Sequence, residues 1–305
     1  MKYNPAKDIP DLSGKSIFLT GGTGGVGRTA IIEFAKHNPH RIFFTGRNAS
    51  QASQLVATLK STSPAVEVVF LECDQTSLRS VQDAAKLFLS RSDRLDILVL
   101  NAGIMNHPPA LSTDGYEIHF AVNHLAHALF IKLLLPTLLR TAEKPNSDVR
   151  VVALTSQGFG MHPSGGVVFK DLRTTQSGSM LQRATRYGQS KLANILYVSE
   201  LARRHGSQII GCSIHPGVVQ TELLTTQSLA VRAASWLTHP FSVLTPEQGA
   251  YNTLWAATSD KANIVNGEYY EPVGVPGRHL RMSRDEKLAK ELWEWTEKEL
   301  EGYHV

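Results

Sequence analysis

The sequence predicts a single α/β domain built on a doubly wound parallel sheet, and three observations predict it. Short apolar runs alternate with longer helical periods along all 305 residues, as when parallel strands are joined by crossover helices. The run 95–100 is near-continuously apolar, as strands covered on both faces are. No repeat, low-complexity tract or linker interrupts the chain, so residues 1–305 are expected to form one domain.

About seven strands are expected, at 16–20, 41–45, 66–71, 95–100, 149–154, 208–214 and 268–271, each a short run rich in Val, Ile, Leu or Phe. Between them, apolar residues at helical spacing mark helices over 26–37, 49–59, 77–89, 116–139 and 187–204. Thr245-Pro246-Glu247-Gln248 reads as a helix start, with a Thr cap, Pro at the first helical position and Gln able to close a capping box. A charged amphipathic helix over 283–300 follows.

Composition narrows the function classes. With 42% hydrophobic residues and 31 basic against 27 acidic side chains, the chain is neither disordered nor a polybasic nucleic-acid binder. Its net charge of +4 permits an anionic ligand. The longest apolar run, 129–139, is broken by Lys132 and Pro136, so no membrane span is expected. Cys73 and Cys212 sit in apolar strand-like settings and predict two buried reduced thiols, hence a cytoplasmic protein. Twelve histidines include no HExxH, and His124 and His127 lack a carboxylate or cysteine partner nearby, so no metal site is expected.

Strand 16–20 ends in Thr20-Gly21-Gly22-Thr23-Gly24-Gly25-Val26-Gly27 and leads directly into a helix. Glycines allow a sharp turn and close backbone approach to a pyrophosphate, and the helix N-terminus supplies N–H groups and partial positive charge. A plain tight turn would need no such glycine cluster between a first strand and a first helix. The spacing fits TGxxxGxG through Gly21, Gly25 and Gly27, and equally TGxxGxxG through Gly21, Gly24 and Gly27. Strand 41–45 is followed by Gly46-Arg47-Asn48, and no acidic residue occurs between Glu33 and Glu67. The carboxylate that would accept adenosine ribose hydroxyls is missing, and Arg47 offers a guanidinium for a 2′-phosphate, which favours NADP(H) over NAD(H).

Tyr187-Gly188-Gln189-Ser190-Lys191 places Tyr187 and Lys191 at i and i+4 on one face at the opening of a helix. A nearby ammonium favours the phenolate; bringing a tyrosine pKa from about 10 to about 7 needs roughly 4 kcal/mol. YxxxK alone is common by chance. Its company here is Ser156 after strand 149–154, Asn101-Ala102-Gly103 after strand 95–100, Asn123 within an apolar helix, and His215-Pro216-Gly217 after strand 208–214. The strand ends share the carboxyl edge, where such sheets bind ligands.

With these motifs the chain resembles the short-chain dehydrogenases/reductases over residues 14–275, a Rossmann-type fold. NAG, YxxSK and the Pro-Gly pair are similar to the compact branch rather than the extended one. Asn123-His124-Leu125-Ala126-His127 and residues 187–196 resemble the retinol-dehydrogenase-like and WW-domain oxidoreductase-like group and related fungal reductases. The resemblance implies Tyr187 as general acid/base, Ser156 as the group positioning a carbonyl or hydroxyl, Lys191 as the residue lowering the tyrosine pKa and binding the nicotinamide ribose, and Asn123 as holder of a relay water. It implies cofactor contacts from Gly21, Thr23, Gly24, Gly25, Val26, Gly27, Arg47, Asn48, Gln75, Ala102, Gly103, Pro216 and Gly217. Asp74 would contact adenine, Asn101 a ribose, and Val218 and Thr221 the carboxamide. Family members often pair through the helices bearing Asn123 and Tyr187, so a homodimer is an expectation.

Three departures stand out. Gly22 replaces the usual Ala, which is expected only to loosen the turn. Ser156 lies 31 residues before Tyr187, so 157–186 carries an insertion. The N-terminal membrane anchor of many retinol dehydrogenases is not expected here. The insertion and a lid over 218–245 are expected to frame the substrate, with Met105, Phe159, Met161, Leu223 and Trp236 as candidate lining residues. Such a lining suits a lipophilic or ring-containing ketone, aldehyde or alcohol. The same residues could equally pack as core or as an oligomer surface. Rival functions on this fold are a non-catalytic nucleotide-binding scaffold, and an epimerase or dehydratase. The presence of Tyr187, Lys191, Ser156 and Asn123 together disfavours the first; Arg47 and the compact-branch motifs disfavour the second.

Overall fold

A computed structural model describes residues 3–220 and 243–305. The strands are β1 (Ser16–Leu19), β2 (Arg41–Gly46), β3 (Glu67–Glu72), β4 (Ile97–Leu100), β5 (Arg150–Leu154), β6 (Ile210–Ile214), β7 (Val218–Val219), β8 (Val243–Leu244), β9 (Tyr269–Glu271) and β10 (Val275–Pro276). Eight of them form one sheet in the order β10-β9-β6-β5-β4-β1-β2-β3, while β7 and β8 pair separately. All pairings in the large sheet are parallel except that of β10 with β9. The expected doubly wound sheet is therefore present, with one short antiparallel edge strand added.

Strand direction explains the two cores. Along β1 and β2 successive side chains point to opposite faces, so Phe18 and Phe43 enter one apolar cluster while Ile17, Leu19, Ile42 and Phe44 enter the other. On the first face lie α4 (Leu78–Leu89), α6 (Ala126–Ala142), α7 (Met180–His205) and α9 (Glu286–Glu299). On the second lie α2 (Gly25–Ala35), α3 (Ala49–Thr62) and α8 (Pro246–Thr258). Two short helices are also present among the described residues, α1 (Pro5–Asp8) and α5 (Ile118–Phe120). Ile118–Ala142, which includes α5 and α6, is long and apolar enough to cross a membrane by composition, but it is packed within the core.

Three expected elements can be compared in detail, and two of them differ. The helix start at Thr245 is as read: the Thr245 hydroxyl accepts from the Gln248 N–H at 3.3 Å, and the Gln248 side-chain Oε1 accepts from the Thr245 N–H at 3.1 Å. By contrast, α7 begins at Met180, not at Tyr187, so the end of the 157–186 insertion is helical and the YxxxK motif lies well inside the helix. Ser179 and Gln182 form its capping box. The second difference falls in the long apolar helix, where Ala121–Leu125 is a π turn: the Ala126 N–H reaches the Ala121 carbonyl, five residues back.

The C-terminal helix α9 packs onto α7 and α6. Trp293 stacks on Tyr197 with ring centroids 4.5 Å apart, and Arg204 covers the Trp293 ring at 5.0 Å. Lys132 of α6 pairs with Glu297 at 3.4 Å. Thus α9 occupies ground on the helix face through which pairing of two copies is expected. Trp293→Ala should lower the unfolding free energy by about 3–5 kcal/mol in chemical denaturation; a loss under about 1 kcal/mol would show that α9 is not integral to this core.

Candidate active site

The sheet changes winding direction between β1 and β4, which neighbour each other although β2 and β3 intervene in sequence. Loops at the carboxyl ends diverge at such a point and leave a crevice. A cavity of about 620 Å³ lies there, within the range of cofactor and ligand sites. Its lining gathers Gly21, Thr23, Gly24, Gly25, Val26, Gly27, Arg47, Asp74, Gln75, Asn101, Ala102, Gly103, Met105, Ser156, Tyr187, Lys191, Pro216, Gly217 and Val218. Most of the expected cofactor and catalytic residues are thereby brought to one groove.

The glycine loop has a separate steric reason at each decisive position. Gly21 and Gly25 adopt φ of +71° and +51°, in the left-handed region that disfavours other residues. A Cβ at Gly27 would fall 2.3 Å from the Gly21 carbonyl oxygen. Gly24 is extended, and a Cβ there would meet no protein atom within 4 Å. The fold therefore requires Gly21, Gly25 and Gly27, the compact-branch spacing. Gly22 does more than loosen a turn: an added Cβ would lie 2.4 Å from Ile31 Cδ1 and 2.8 Å from Phe44 Cδ2. Large neighbours have taken the alanine methyl's space.

This loop fits a dinucleotide. The N-terminus of α2 opens at the groove with no side-chain cap, leaving first-turn N–H groups for an anion. Asn101 secures the loop, its Nδ2 donating to the carbonyls of Thr20 at 2.8 Å and Gly21 at 3.1 Å. Its Nδ2 is thus spent on protein, while the residue still lines the groove. Asn48 does not line the groove; its Oδ1 accepts from the Gln51 N–H and caps α3. Asp74 is exposed at the groove, with Oδ1 accepting from the Thr76 N–H at 3.0 Å. Arg47 is exposed at the end of β2, also on the lining.

On the catalytic side, α7 is docked to the end of β5 by three bonds. Lys191 Nζ and Asn194 Nδ2 both donate to the Leu154 carbonyl at 3.1 Å, and the Thr155 hydroxyl donates to the Lys191 carbonyl at 2.7 Å. These contacts fix Ser156 relative to Tyr187, and both side chains line the groove. Gly158 permits this approach, since a Cβ there would stand 2.9 Å from Tyr187 Cε1. Gly188 lets the insertion settle on α7, since its Cβ would lie 2.7 Å from the Met161 carbonyl carbon. Burial pushes the Tyr187 phenol up, and the neighbouring Ser156 hydroxyl opposes it. Burial also lowers the Lys191 ammonium to about 8. Lys191 Nζ is 5.9 Å from the Tyr187 ring centre.

Asn123 is wholly buried in the π turn, and its carboxamide is committed to protein groups. Oδ1 accepts from the Ile104 N–H at 2.7 Å, while Nδ2 donates to the Ile104 carbonyl at 3.0 Å and the Ser190 hydroxyl at 2.9 Å. Ser190 in turn donates to the Tyr187 carbonyl at 2.7 Å. Carbonyls of the π turn are received by side chains: Gln75 Nε2 donates to Val122 and His127 Nδ1 to Asn123, both at 3.0 Å. That bond leaves His127 Nε2 unprotonated, to accept from the Thr20 hydroxyl at 3.0 Å; Thr20 Oγ1 itself accepts from the N–H groups of Asn101 and Ala102. His124 bonds Asn194 at 3.3 Å. Both histidines are structural, and among the described residues no group of side chains could hold a metal.

Of the candidate substrate residues, Met105 lines the groove. Phe159 does not: it is 3% exposed and packs edge-on against Tyr269, so it belongs to the core. Met161 is 44% exposed and lies off the groove. Thr221, Leu223, Trp236 and most of the expected lid lie outside the described residues. Sequence reading did not single out Thr76, Ile104, Val122, Leu154 and Val219, which also line the groove; apolar or small, they carry no chemical signature.

Comparison with known proteins agrees with this geometry. A family model described as short chain dehydrogenase matches residues 15–231. The chain belongs to that family. It is 37% identical over 296 residues to an uncharacterized oxidoreductase of Schizosaccharomyces pombe, covering 95% of this chain and 86% of the relative. It is 33% identical to retinol dehydrogenase 11 of Homo sapiens, covering 93% and 85% respectively, which supports membership of the retinol-dehydrogenase-like group. A protein from Mycobacterium paratuberculosis has the same fold, with TM-score 0.75 and 26% identity over 99% of this chain and 98% of the other.

Burial, with the Lys191 charge adding to it, lowers His127 from 6.5 to about 3. An unfolded chain therefore binds a proton there that the fold refuses, and stability falls as pH drops below 6.5, by about 1.4 kcal/mol per unit. His127→Gln should show a shallower decline of unfolding free energy between pH about 6.5 and about 5. Equal slopes would mean that His127 titrates freely in the folded protein.

Proposed function

We propose that this chain is an NADP(H)-dependent oxidoreductase that interconverts a ketone or aldehyde and the corresponding alcohol. The observation that carries the reading is the meeting of Ser156, Tyr187 and Lys191 at the carboxyl edge of the sheet, inside the groove that the glycine loop opens. The dinucleotide, when bound, supplies or takes up the hydride.

The chain's own groups handle the proton. Burial keeps the Tyr187 phenol protonated at neutral pH, the state needed to donate to a carbonyl oxygen as that oxygen gains charge. Ser156 directs the same oxygen toward the phenol. In the alcohol-oxidising direction Tyr187 must first lose its proton, a step assisted by the buried Lys191 ammonium. Gly103 closes the site on the Lys191 side: a Cβ there would stand 3.4 Å from Lys191 Nζ and 3.1 Å from Asn123 Oδ1.

Arg47 supports the NADP(H) preference. It stands where β2 ends, lines the groove, and has no acidic neighbour in sequence that could bind ribose hydroxyls instead. Ile104, Met105, Val122 and Leu154 add apolar side chains to the groove lining, which favours a lipophilic or ring-containing substrate.

Tyr187→Phe should abolish NADPH-dependent carbonyl reduction while NADPH affinity changes by less than about threefold; retention of more than about a few per cent of turnover would remove Tyr187 from proton transfer. Arg47→Asp should reverse the preference from NADPH toward NADH in a paired binding titration, since an anion at a 2′-phosphate costs affinity and at a 2′-hydroxyl gains a bond. An unchanged preference would place the phosphate elsewhere.

A further inference from the structure

A second cluster of charge lies buried behind the groove and is not used by the chemistry above. Glu117, His119 and Arg186 are each no more than 1% exposed, and none lines the groove. One oxygen of Glu117 is 3.1 Å from Arg186 Nε, in ion-pair contact, and 2.9 Å from His119 Nδ1; the other accepts from the Phe120 N–H at 2.8 Å. His119 Nε2 accepts from the His107 N–H at 3.0 Å, so its proton is on Nδ1, facing the carboxylate. Arg186 extends one terminal nitrogen to the His107 carbonyl at 3.1 Å and the other to the Gln176 carbonyl at 2.7 Å. Both main-chain polar groups of His107 are thus held, one by each partner of Glu117.

This arrangement has a mirror image three residues earlier. Both main-chain polar groups of Ile104 are held by the Asn123 carboxamide. Only Met105 and Asn106 lie between the two clamps, and Met105 lines the groove. Arg186 also directly precedes Tyr187, and the His119 ring lies edge-on to the Tyr187 ring at 6.4 Å. Burying a carboxylate and a guanidinium costs more than burying apolar side chains of equal volume. What the charges add is direction, since a planar guanidinium donates along fixed, divergent lines.

We infer that Glu117, His119 and Arg186 are positioning residues that fix the wall carrying Met105 against Tyr187, and so set how tightly the carbonyl substrate is held. This rests on the carbonyl-reductase reading for the identity of the ligand, though not for the clamp itself. None of the three meets the reacting atoms. Loosening the wall should therefore raise KM for substrate and spare the proton-transfer step.

The test uses the full chain with benzil as an aromatic carbonyl probe and NADPH. Arg186→Lys keeps the charge but cannot reach His107 and Gln176 together; the expected result is a KM for benzil raised about tenfold, with kcat within about threefold and NADPH affinity unchanged. His119→Asn, a milder change should Arg186→Lys fail to fold, removes the acceptor for the His107 N–H and should move KM the same way. Wild-type KM in a folded variant, or a loss confined to kcat, overturns the inference. Amide exchange separates it from the functional reading if wild-type protein leaves benzil unreduced. In His119→Asn the His107 amide should then exchange at least about tenfold faster while Ile104 stays protected. An unaltered His107 rate overturns the clamp whatever the enzyme reduces.

Discussion

One buried carboxamide holds the two halves of this site in register. Asn123 meets the loop after β4 at both polar groups of Ile104 and meets α7 at Ser190, whose own hydroxyl returns to the Tyr187 carbonyl. An open sheet leaves a crevice at its winding switch, and nothing in the sheet alone fixes the distance across it. The amide does so with bonds whose directions are set, and in a dry interior each carries the full cost of being left unmade. The π turn follows from this demand. A wider turn frees backbone carbonyls, and Gln75 and His127 occupy two of them.

The cofactor half and the substrate half solve different physical problems. Around the glycine loop the constraint is closeness: Gly21, Gly22 and Gly27 are places where one added carbon would strike neighbouring atoms. Around Tyr187 the constraint is burial of polar groups, met by a dense set of partners. Lys191 is tied to Leu154, His127 stands neutral between Thr20 and Asn123, and Glu117 is shared by Arg186, His119 and the Phe120 amide. Retention of such polar groups in an interior that apolar residues would stabilise more cheaply fits a site where geometry matters more than bulk stability.

The sequence made the architecture and the chemically distinctive residues legible. Glycines between a first strand and helix, NAG after a buried strand, YxxxK, and the Thr245 cap each have a local signature, and the groove gathers the first three. What it hid were contacts between distant segments. Apolar periodicity cannot separate a π turn from an α turn over five residues, so Asn123 read as a polar residue within a regular apolar helix, and the partners that make its side chain a clamp were not legible. Phe159 was read as pocket because it follows Ser156, but residue type does not reveal that Tyr269 arrives to cover it. The capping box of Ser179 and Gln182 was visible in principle; the nearby glycine and polar residues made the stretch resemble a loop. Glu117 and Arg186 also left a trace, as charges beside strongly apolar helices.

Replacing Asn123 by Leu tests the linking role of the carboxamide most directly, with the Ile104 amide exchange rate and single-turnover NADPH oxidation followed in the same protein. Both should fail together: Ile104 loses protection, and the oxidation rate falls by about a hundredfold or more as Tyr187 and the β4 loop lose their common anchor. Undiminished oxidation in a variant whose Ile104 amide has become free to exchange would contradict the claim that this bond holds the site together.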